Sequence, residues 1–204
     1  LVAFGLVMVY SASAVFAEDQ TGDSLYFFKR QMVNVTVGLL LLLAVLRFGY
    51  QRLVRLGYPL LALSALLLVV VLVPGLGSTA GGSSRWIRLG PLSFQPGELA
   101  KLAFIVYLAC SLTRKKEKIQ TFSAGFLPHL LISGLLILLL LGQPDFGTAA
   151  TMTLILFFML FVAGARLSYI LASALVALPM AYWLITGSPY RMRRMLAFLD
   201  PWSH

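Results

Sequence analysis

Charged residues that could act together on an anionic, membrane-bound ligand occur in three short parts of this otherwise apolar sequence. Glu98 and Lys101 lie three residues apart, so both side chains share one face of a helix. Asp145 follows Gln143-Pro144 between two apolar runs, and Asp200 precedes Pro201 near the end of the sequence. A carboxylate can act as a general base, and an ionisable side chain inside an apolar helix usually faces the protein interior or a water-filled cavity.

Arginines accompany these acids in the segments that we expect on the outer side of a membrane. They are Arg85, Arg88, Arg191, Arg193 and Arg194. Because the guanidinium group holds phosphate through a planar fork, five such residues beside a lipid surface indicate a lipid-linked anion such as a diphosphate. Trp86 lies between the first two, and this arrangement is also typical of a simple membrane anchor.

Each acid also has a purely structural interpretation, which the sequence leaves open. Glu98 and Lys101 could form a structural ion pair, or they could be part of a polar cavity that handles substrate. Asp145 could cap the following helix, or it could join Glu98 and Lys101. Asp200 before a proline could be a turn residue or the general base.

The elements that must position these residues are membrane helices. Hydrophobic residues make up 60% of the chain, charged residues 11%, and the mean hydropathy is +0.91, which excludes an ordinary soluble domain. At about 20 apolar residues per crossing, the sequence predicts an all-α, polytopic membrane helix bundle of about seven transmembrane helices. They are expected near residues 1–17, 31–48, 56–74, 97–113, 123–142, 147–164 and 167–186.

The distribution of basic residues predicts which ends of these helices are cytoplasmic. Eight of them fall at the cytoplasmic ends: Arg47, Arg52, Arg55, Arg114, Lys115, Lys116, Lys118 and Arg166. Seven fall on the opposite side together with most of the acids, and Lys101 lies within a helix. Since arginines are normally rare in short outer loops, either this orientation is wrong or the outer arginines have a function. We interpret the outer face as the functional face.

Other reactive residue types give no further site. The single Cys110 lies in an apolar run and is interpreted as a small buried hydrophobe. His129 follows Pro128 and is interpreted as a helix-start residue, with no second ligand at metal-binding spacing. We therefore expect no dedicated metal site, and no nucleic-acid partner.

Several motifs, in order along the whole chain, closely resemble the SEDS family (shape, elongation, division and sporulation), the division members more than the elongation members. They are YSAS at 10–13, FFKRQ at 27–31, SRWIRLGPLSFQPGELAKLA at 84–103, QPDFGTA at 143–149, AGA at 163–165 and YRMRRMLAFLDPW at 190–202.

The resemblance implies a protein of about ten helices in the bacterial cytoplasmic membrane, at the division septum, that polymerises lipid II. We expect residues 1–204 to form a single bundle lacking the N-terminal cytoplasmic tail and the C-terminal helices, and to be inactive alone. A class B penicillin-binding protein, other division proteins and membrane lipids are the implied partners. A lipid II flippase and a non-catalytic septal scaffold are the alternatives.

The resemblance also implies roles for individual residues. Glu98 and Lys101 match the family's cavity acid and lysine, Asp145 the acid of its QPD motif, and Trp86 the tryptophan of its RW motif. With Gln95 and the five arginines, they are the expected substrate-binding residues. The family's catalytic acid lies in a pattern like (Asn/Asp)-Pro-Trp-x-Asp; here Asp200 takes the first position and His204 the last. His204 thus stands where the family has its catalytic acid, so Asp200 takes over that role, an acid after residue 204 supplies it, or the alignment here is shifted by a few residues. We take Asp200 as the expected general base, with or without a divalent cation such as Mg²⁺ or Mn²⁺.

Overall fold

The computed structural model describes residues 1–73, 78–80, 83–89, 92–188 and 192. Most of this part of the chain is helical, as expected where the backbone must satisfy its own hydrogen bonds inside a membrane. The helices are α1 (Val2–Thr21), α2 (Tyr26–Phe48), α3 (Tyr50–Arg55), α4 (Gly57–Leu72), α5 (Pro96–Arg114), α6 (Leu127–Gly142), α7 (Phe146–Val162) and α8 (Leu167–Thr186). Short strands β1 (Ser78–Ala80), β2 (Ser83–Leu89) and β3 (Leu92–Phe94) precede α5.

The predicted all-α, polytopic membrane fold is confirmed. Within the described residues, five helical segments are long and apolar enough to cross a membrane: Val2–Thr21, Tyr26–Phe48, Pro96–Arg114, Phe122–Gly142 and Leu167–Thr186. Helices α4 and α7 are apolar but have 16 and 17 residues, a length of roughly 25 Å against a hydrocarbon layer of about 30 Å. Each of the seven predicted segments thus contains a helix, and the number of crossings stays a prediction.

Two helices extend further into polar sequence than predicted. Helix α1 continues to Thr21, and α2 already begins at Tyr26. The prediction was therefore wrong in placing Glu18, Asp19, Lys29 and Arg30 in a loop, because hydropathy marks the apolar part of a helix and not its ends. The connecting turn is short: Gly22, at φ 70°, adopts the left-handed conformation and donates its N–H to the Glu18 carbonyl.

Residues Leu1–Arg55 form one compact unit. Its helices α1 and α2 contact each other through aromatic rings, with Tyr10 edge-on to Phe28 and Phe16 stacked on Phe27 at centroid distances of 6.0 and 6.1 Å. In this fully described unit, Ala17 is the one buried residue of the helices. Its surface is therefore largely apolar and exposed, which suits contact with lipid tails.

The second compact unit begins at Leu56 and contains the hydrophobic core. Helix α5 lies at its centre and packs against α4, α6 and α7. Fully buried side chains from these four helices meet there, among them Leu68, Phe104, Leu136, Leu140 and Met152. The single-bundle prediction for residues 1–204 is not tested by this division into two units.

The polar insert before α5 forms strands, which the sequence analysis did not predict. The strands are antiparallel in the order β1-β2-β3, with Ser78 opposite Trp86 and Ile87 opposite Phe94. Gly81-Gly82 and Gly90-Pro91 separate the strands in the sequence and are typical turn residues. The sheet therefore leads the chain directly into the first turn of α5.

A turn of π-helix at Phe122–Phe126 precedes α6 and depends on Gly125. A Cβ atom at Gly125 would collide with the Lys118 carbonyl and the Ile119 backbone. His129 is fully buried; its Nδ1–H donates to the Gly125 carbonyl, and its Nε2 lies 2.9 Å from Ser111 Oγ on α5. His129 thus ties the start of α6 to α5, as well as lying at a helix start as predicted.

Candidate functional site

The candidate site is built around the first turn of α5, which follows the small sheet. Gln95 is extended (φ −104°, ψ 109°) and precedes Pro96, the first residue of the helix. Proline restricts its predecessor to extended conformations and needs no hydrogen-bond acceptor at a helix start. The local sequence therefore fixes where α5 begins, and with it the position of Glu98 and Lys101.

Glu98 and Lys101 form an ion pair on one face of α5. Lys101 Nζ lies 2.9 Å from Glu98 Oε1. The Glu98 side chain is 59% exposed, whereas that of Lys101 is 26% exposed, so the lysine side chain is the more shielded of the two. The pair is thus less buried than a structural core pair would be. Whether it handles substrate stays a prediction.

Asp145 acts as the N-cap of α7. Its Oδ1 accepts the backbone N–H of Thr148 at 3.4 Å, and its Oδ2 accepts the Thr148 hydroxyl at 2.8 Å. The side chain is buried, with 5% of the residue exposed. The capping alternative raised by the sequence is therefore observed, because a capped helix start satisfies a backbone donor that would otherwise be orphaned.

Asp145 also bonds to the residue immediately before α5. Gln95 Nε2 donates to Asp145 Oδ2 at 3.2 Å, across 50 residues of sequence. The structure thus brings two of the predicted substrate-binding residues into direct contact. Gln95 stands three residues before Glu98, so the contact joins the start of α7 to the turn that carries the ion pair.

Gln143 is a residue of this region that the sequence analysis quoted within a motif but did not select. It is buried, and its Nε2 donates to the Leu68 carbonyl of α4 at 2.8 Å. The helix-capping partner Thr148 was missed as well. Polar side chains between two apolar runs are the feature that could have marked both, since a buried polar group must find a hydrogen-bond partner.

Close packing accompanies these hydrogen bonds. A Cβ atom added at Gly97 would lie 3.4 Å from Asp145 Oδ2 and 3.5 Å from side-chain atoms of Leu140 and Thr148. These are ordinary contact distances, so the backbone of α5 approaches the α6–α7 turn as closely as an alanine would allow. The first turn of α5 is therefore in direct contact with the cap of α7.

The remaining predicted residues are placed only in part. Trp86 is half-buried on β2, while Arg85 and Arg88 belong to the same strand and their side chains are not described. The last group lies outside the described residues: Arg191, Arg193, Arg194, Asp200 and His204. The described part of the site thus contains Trp86, Gln95, Glu98, Lys101 and Asp145, and the role of each as a substrate-binding residue remains a prediction.

Comparison with known proteins agrees with these motifs over the entire chain. The family model FTSW_RODA_SPOVE, described as "Cell cycle protein", matches residues 1–204. A curated relative from Trichlorobacter lovleyi, "Probable peptidoglycan glycosyltransferase FtsW", is 46% identical over 201 residues, which cover 98% of this chain and 53% of the relative. The chain thus spans about half the length of the curated relatives it matches.

Solved structures with the same arrangement of helices include two that the chain matches over most of its length. The crystal structure of the rod shape determining protein RodA of Thermus thermophilus matches with a TM-score of 0.64 and 30% identity, covering 90% of this chain and 58% of that one. A chain from the structure titled "Structural coordination of polymerization and crosslinking by a peptidoglycan synthase complex" matches with a TM-score of 0.69 and 32% identity, covering 98% and 59%.

Proposed function

Because the chain belongs to the FtsW/RodA/SpoVE family of cell cycle proteins, we propose that it is part of a peptidoglycan glycosyltransferase of the FtsW type that polymerises lipid II. The structural observation that carries the proposal is the Glu98–Lys101 ion pair, which stands at the start of a membrane-spanning helix with its acid exposed. Relatives named as peptidoglycan glycosyltransferases support the reaction class. The membrane helices and the charged helix start, with the arginines of the sequence, support a lipid-linked anionic substrate.

The reaction that we propose transfers a glycan chain from one lipid carrier to a new sugar. The 4-hydroxyl oxygen of lipid II bonds to the anomeric carbon of the growing chain, whose bond to undecaprenyl diphosphate breaks. Asp200 takes the hydroxyl proton as general base, with His204 as the neighbouring alternative position. The diphosphate leaves with the bonding electron pair, and the positive charge of the five arginines stabilises it.

The ion pair on α5 would serve substrate binding in this reaction. The ammonium group of Lys101 has three N–H donors, so it can bond to Glu98 and still donate to an anionic group of the substrate. Such a contact is stronger than in bulk water where the local dielectric constant is lower. Glu98 holds Lys101 in place while its own exposed oxygens remain able to accept hydrogen bonds from sugar or peptide groups. Trp86 supplies an aromatic face of the kind found at membrane interfaces.

The described residues do not fit a resident divalent cation. No group of three or more His, Cys, Asp or Glu side chains that could hold a metal ion occurs in the part of the chain that the structure describes. Of the two site acids there, Glu98 is paired with Lys101 and Asp145 accepts hydrogen bonds from Gln95 and Thr148.

The proposed partner is a class B penicillin-binding protein that cross-links the new strands, together with other division proteins. A solved structure whose title joins polymerisation and crosslinking in one synthase complex contains a chain of this fold, which supports the pairing. The greater likeness to FtsW proteins supports division over elongation and a place at the septum of the bacterial cytoplasmic membrane.

The proposal is tested with the full-length protein and its transpeptidase partner. Purified lipid II is supplied, and glycan strands are resolved on a gel for wild type, Asp200→Ala and His204→Ala. We expect strand formation by wild type and its loss in Asp200→Ala. If no preparation forms strands although the protein is folded and bound to its partner, the glycosyltransferase proposal fails. If Asp200→Ala polymerises normally, the assignment of the base to Asp200 fails.

A lipid II transporter is the second candidate, favoured by the presence of an ion pair within a membrane span. Movement of fluorescent lipid II across vesicles that contain only this protein distinguishes the two. Loss of lipid II movement across these vesicles in Lys101→Ala would support the transporter function. The transporter function fails if the wild-type protein polymerises lipid II but does not move it across the membrane.

A further inference from the structure

A hydrogen-bond network that is buried at Asp145 and Thr148 and half-buried at Gln95 holds the start of α5 against the start of α7. It consists of Gln95, Asp145 and Thr148, which meet at the carboxylate oxygen Asp145 Oδ2. We propose that Gln95 and Asp145 are positioning residues, whose contact sets the location of the Glu98–Lys101 pair for substrate binding. The contact itself is independent of the proposed function, but its consequence for substrate binding rests on that function.

The geometry requires each partner in a defined role. A carboxylate oxygen accepts and cannot donate, so the Gln95 amide presents its NH₂ group and Thr148 presents its hydroxyl proton. With 5% of Asp145 exposed, water replaces neither donor readily. A buried carboxylate that loses a donor bears much of the desolvation penalty of a charged group, so the structure strongly favours the closed contact.

A second hydrogen bond fixes the same turn from the other side. Gln143 Nε2 donates to the Leu68 carbonyl, which lies in the last two turns of α4. The α6–α7 turn that carries Asp145 is therefore attached to α4 and cannot easily move away from the core. Gln95 therefore bonds to a residue whose own position is held by the core.

The position of the start of α5 depends on its contact with Asp145. Pro96 has no N–H, and the Gln95 carbonyl accepts the Glu98 N–H at 3.1 Å. That bond lies within the turn, so it does not attach the turn to α6 or α7. A Cβ atom at Gly97 would lie within contact distance of Asp145, Leu140 and Thr148. A displacement of this turn would carry Glu98 and Lys101 with it, because they lie within the next turn and a half of the same helix.

Exchanging the amide of Gln95 and the carboxylate of Asp145 distinguishes two roles for Asp145. It can position the start of α5 through its hydrogen bond, or its charge can contact the substrate directly. Gln95→Glu places a second carboxylate against Asp145, and buried like charges repel strongly. Asp145→Asn alone is mild, because the Gln95 amide can rotate and present its oxygen to the new NH₂ group. In Gln95→Glu/Asp145→Asn the donor and acceptor are reversed, and the introduced amide still offers its Oδ1 to the Thr148 N–H.

We expect a matching order of activities in the full-length protein with its partner. Gln95→Glu raises the KM for lipid II by roughly tenfold or more with a smaller change in kcat. Asp145→Asn is expected to lose less activity than Gln95→Glu, and the double variant to recover most of the activity that Gln95→Glu loses. A dead Asp145→Asn that the exchange does not rescue would overturn the proposal, because the charge at 145 would then act directly.

A readout that needs no catalysis separates this proposal from the proposed function. In a full-length background in which Cys110 and any other cysteine are replaced by alanine, Glu98→Cys is labelled from outside with a membrane-impermeant thiol reagent. We expect Gln95→Glu to change the labelling rate several-fold and the double exchange to restore it. An unchanged rate in Gln95→Glu overturns the positioning role. If the rates follow the expected order while wild type forms no glycan strands, the contact stands and the glycosyltransferase proposal fails.

Discussion

Two ion pairs of similar length occur in very different surroundings in this protein. In the first unit, Lys29 Nζ lies 2.7 Å from Asp23 Oδ2, with the side chains 64% and 41% exposed. In the second, Lys101 Nζ lies 2.9 Å from Glu98 Oε1, and the lysine is 26% exposed. Distance alone thus does not distinguish a turn-stabilising pair from a candidate binding group.

The surroundings make the distinction. Asp23 also accepts the Leu25 N–H at 2.9 Å, so its carboxylate organises the short turn between α1 and α2. The structure describes all three helices of that unit, and Ala17 is the one buried residue in them. Glu98 and Lys101 instead begin a helix that lies at the centre of the core and is tied to its neighbours by Gln95 and Asp145. We therefore expect substitutions at the two pairs to differ in kind.

Removal of the two lysines should give the largest difference. Lys101→Ala is expected to lower glycan-strand formation by about 100-fold, the usual loss when a preorganised charge is removed. Lys29→Ala should stay within about twofold, because an exposed ion pair contributes little. Initial rates with purified lipid II measure both. Equal losses in the two variants would show that the surroundings of the pairs do not matter.

Substitution of glycines should show the difference in packing between the units. Gly125→Ala forces a Cβ atom into the backbone of Lys118 and Ile119, whereas a Cβ atom at Gly38 on α2 meets nothing within 4 Å. We expect Gly125→Ala to lower the free energy of unfolding by about 3 kcal/mol and Gly38→Ala to leave it unchanged or raise it slightly. Thermal unfolding in detergent measures both. A Gly125→Ala variant as stable as wild type would contradict the tight packing at this turn.

The smallest expected effect is a pH dependence at the exposed pair. The hydrogen bond from Lys29, followed by that from the Leu25 N–H, holds the pKa of Asp23 below its ordinary value of 3.8. A lowered pKa in the folded state stabilises the turn at pH values above 3.8, and this contribution is lost as the pH falls through the folded-state pKa.

The carboxyl signal of Asp23 in an NMR titration reports this effect. We expect its midpoint below 3.8 in wild type and closer to 3.8 in Lys29→Ala. The Lys101→Ala variant is the control and should leave the midpoint unchanged. No movement in Lys29→Ala would mean that the ion pair is not formed in solution.

The membrane helices were predictable because hydropathy is a local property. The predicted starts of α5 and α7 differ from the observed starts by one residue each, since Pro96 and Asp145 are local helix-start residues. The spacing of Glu98 and Lys101 likewise placed them on one face. The ends of α1 and α2 were less accurate, because polar residues such as Glu18 and Lys29 continue a helix without adding to its hydropathy.

The contacts that define the site could not be predicted from sequence in the same way. Gln95 and Asp145 meet across 50 residues, and Gln143 reaches Leu68 across 75. Both contacts depend on how α4, α5 and α7 pack, which no local pattern encodes. The three strands were missed because they are short and lie between glycines and a proline.

The most direct test of a substrate-binding role for the α5 pair exchanges its two charges. Glu98→Lys/Lys101→Glu keeps an ion pair on the same face of the helix but reverses the positions of acid and base. Binding of undecaprenyl diphosphate to the full-length protein in nanodiscs is compared with that of wild type and of the corresponding exchange of Asp23 and Lys29. We predict that the α5 exchange stays folded yet binds at least about tenfold more weakly, while the control exchange binds normally. Wild-type binding by the α5 exchange would contradict the account, because the pair would then be purely structural.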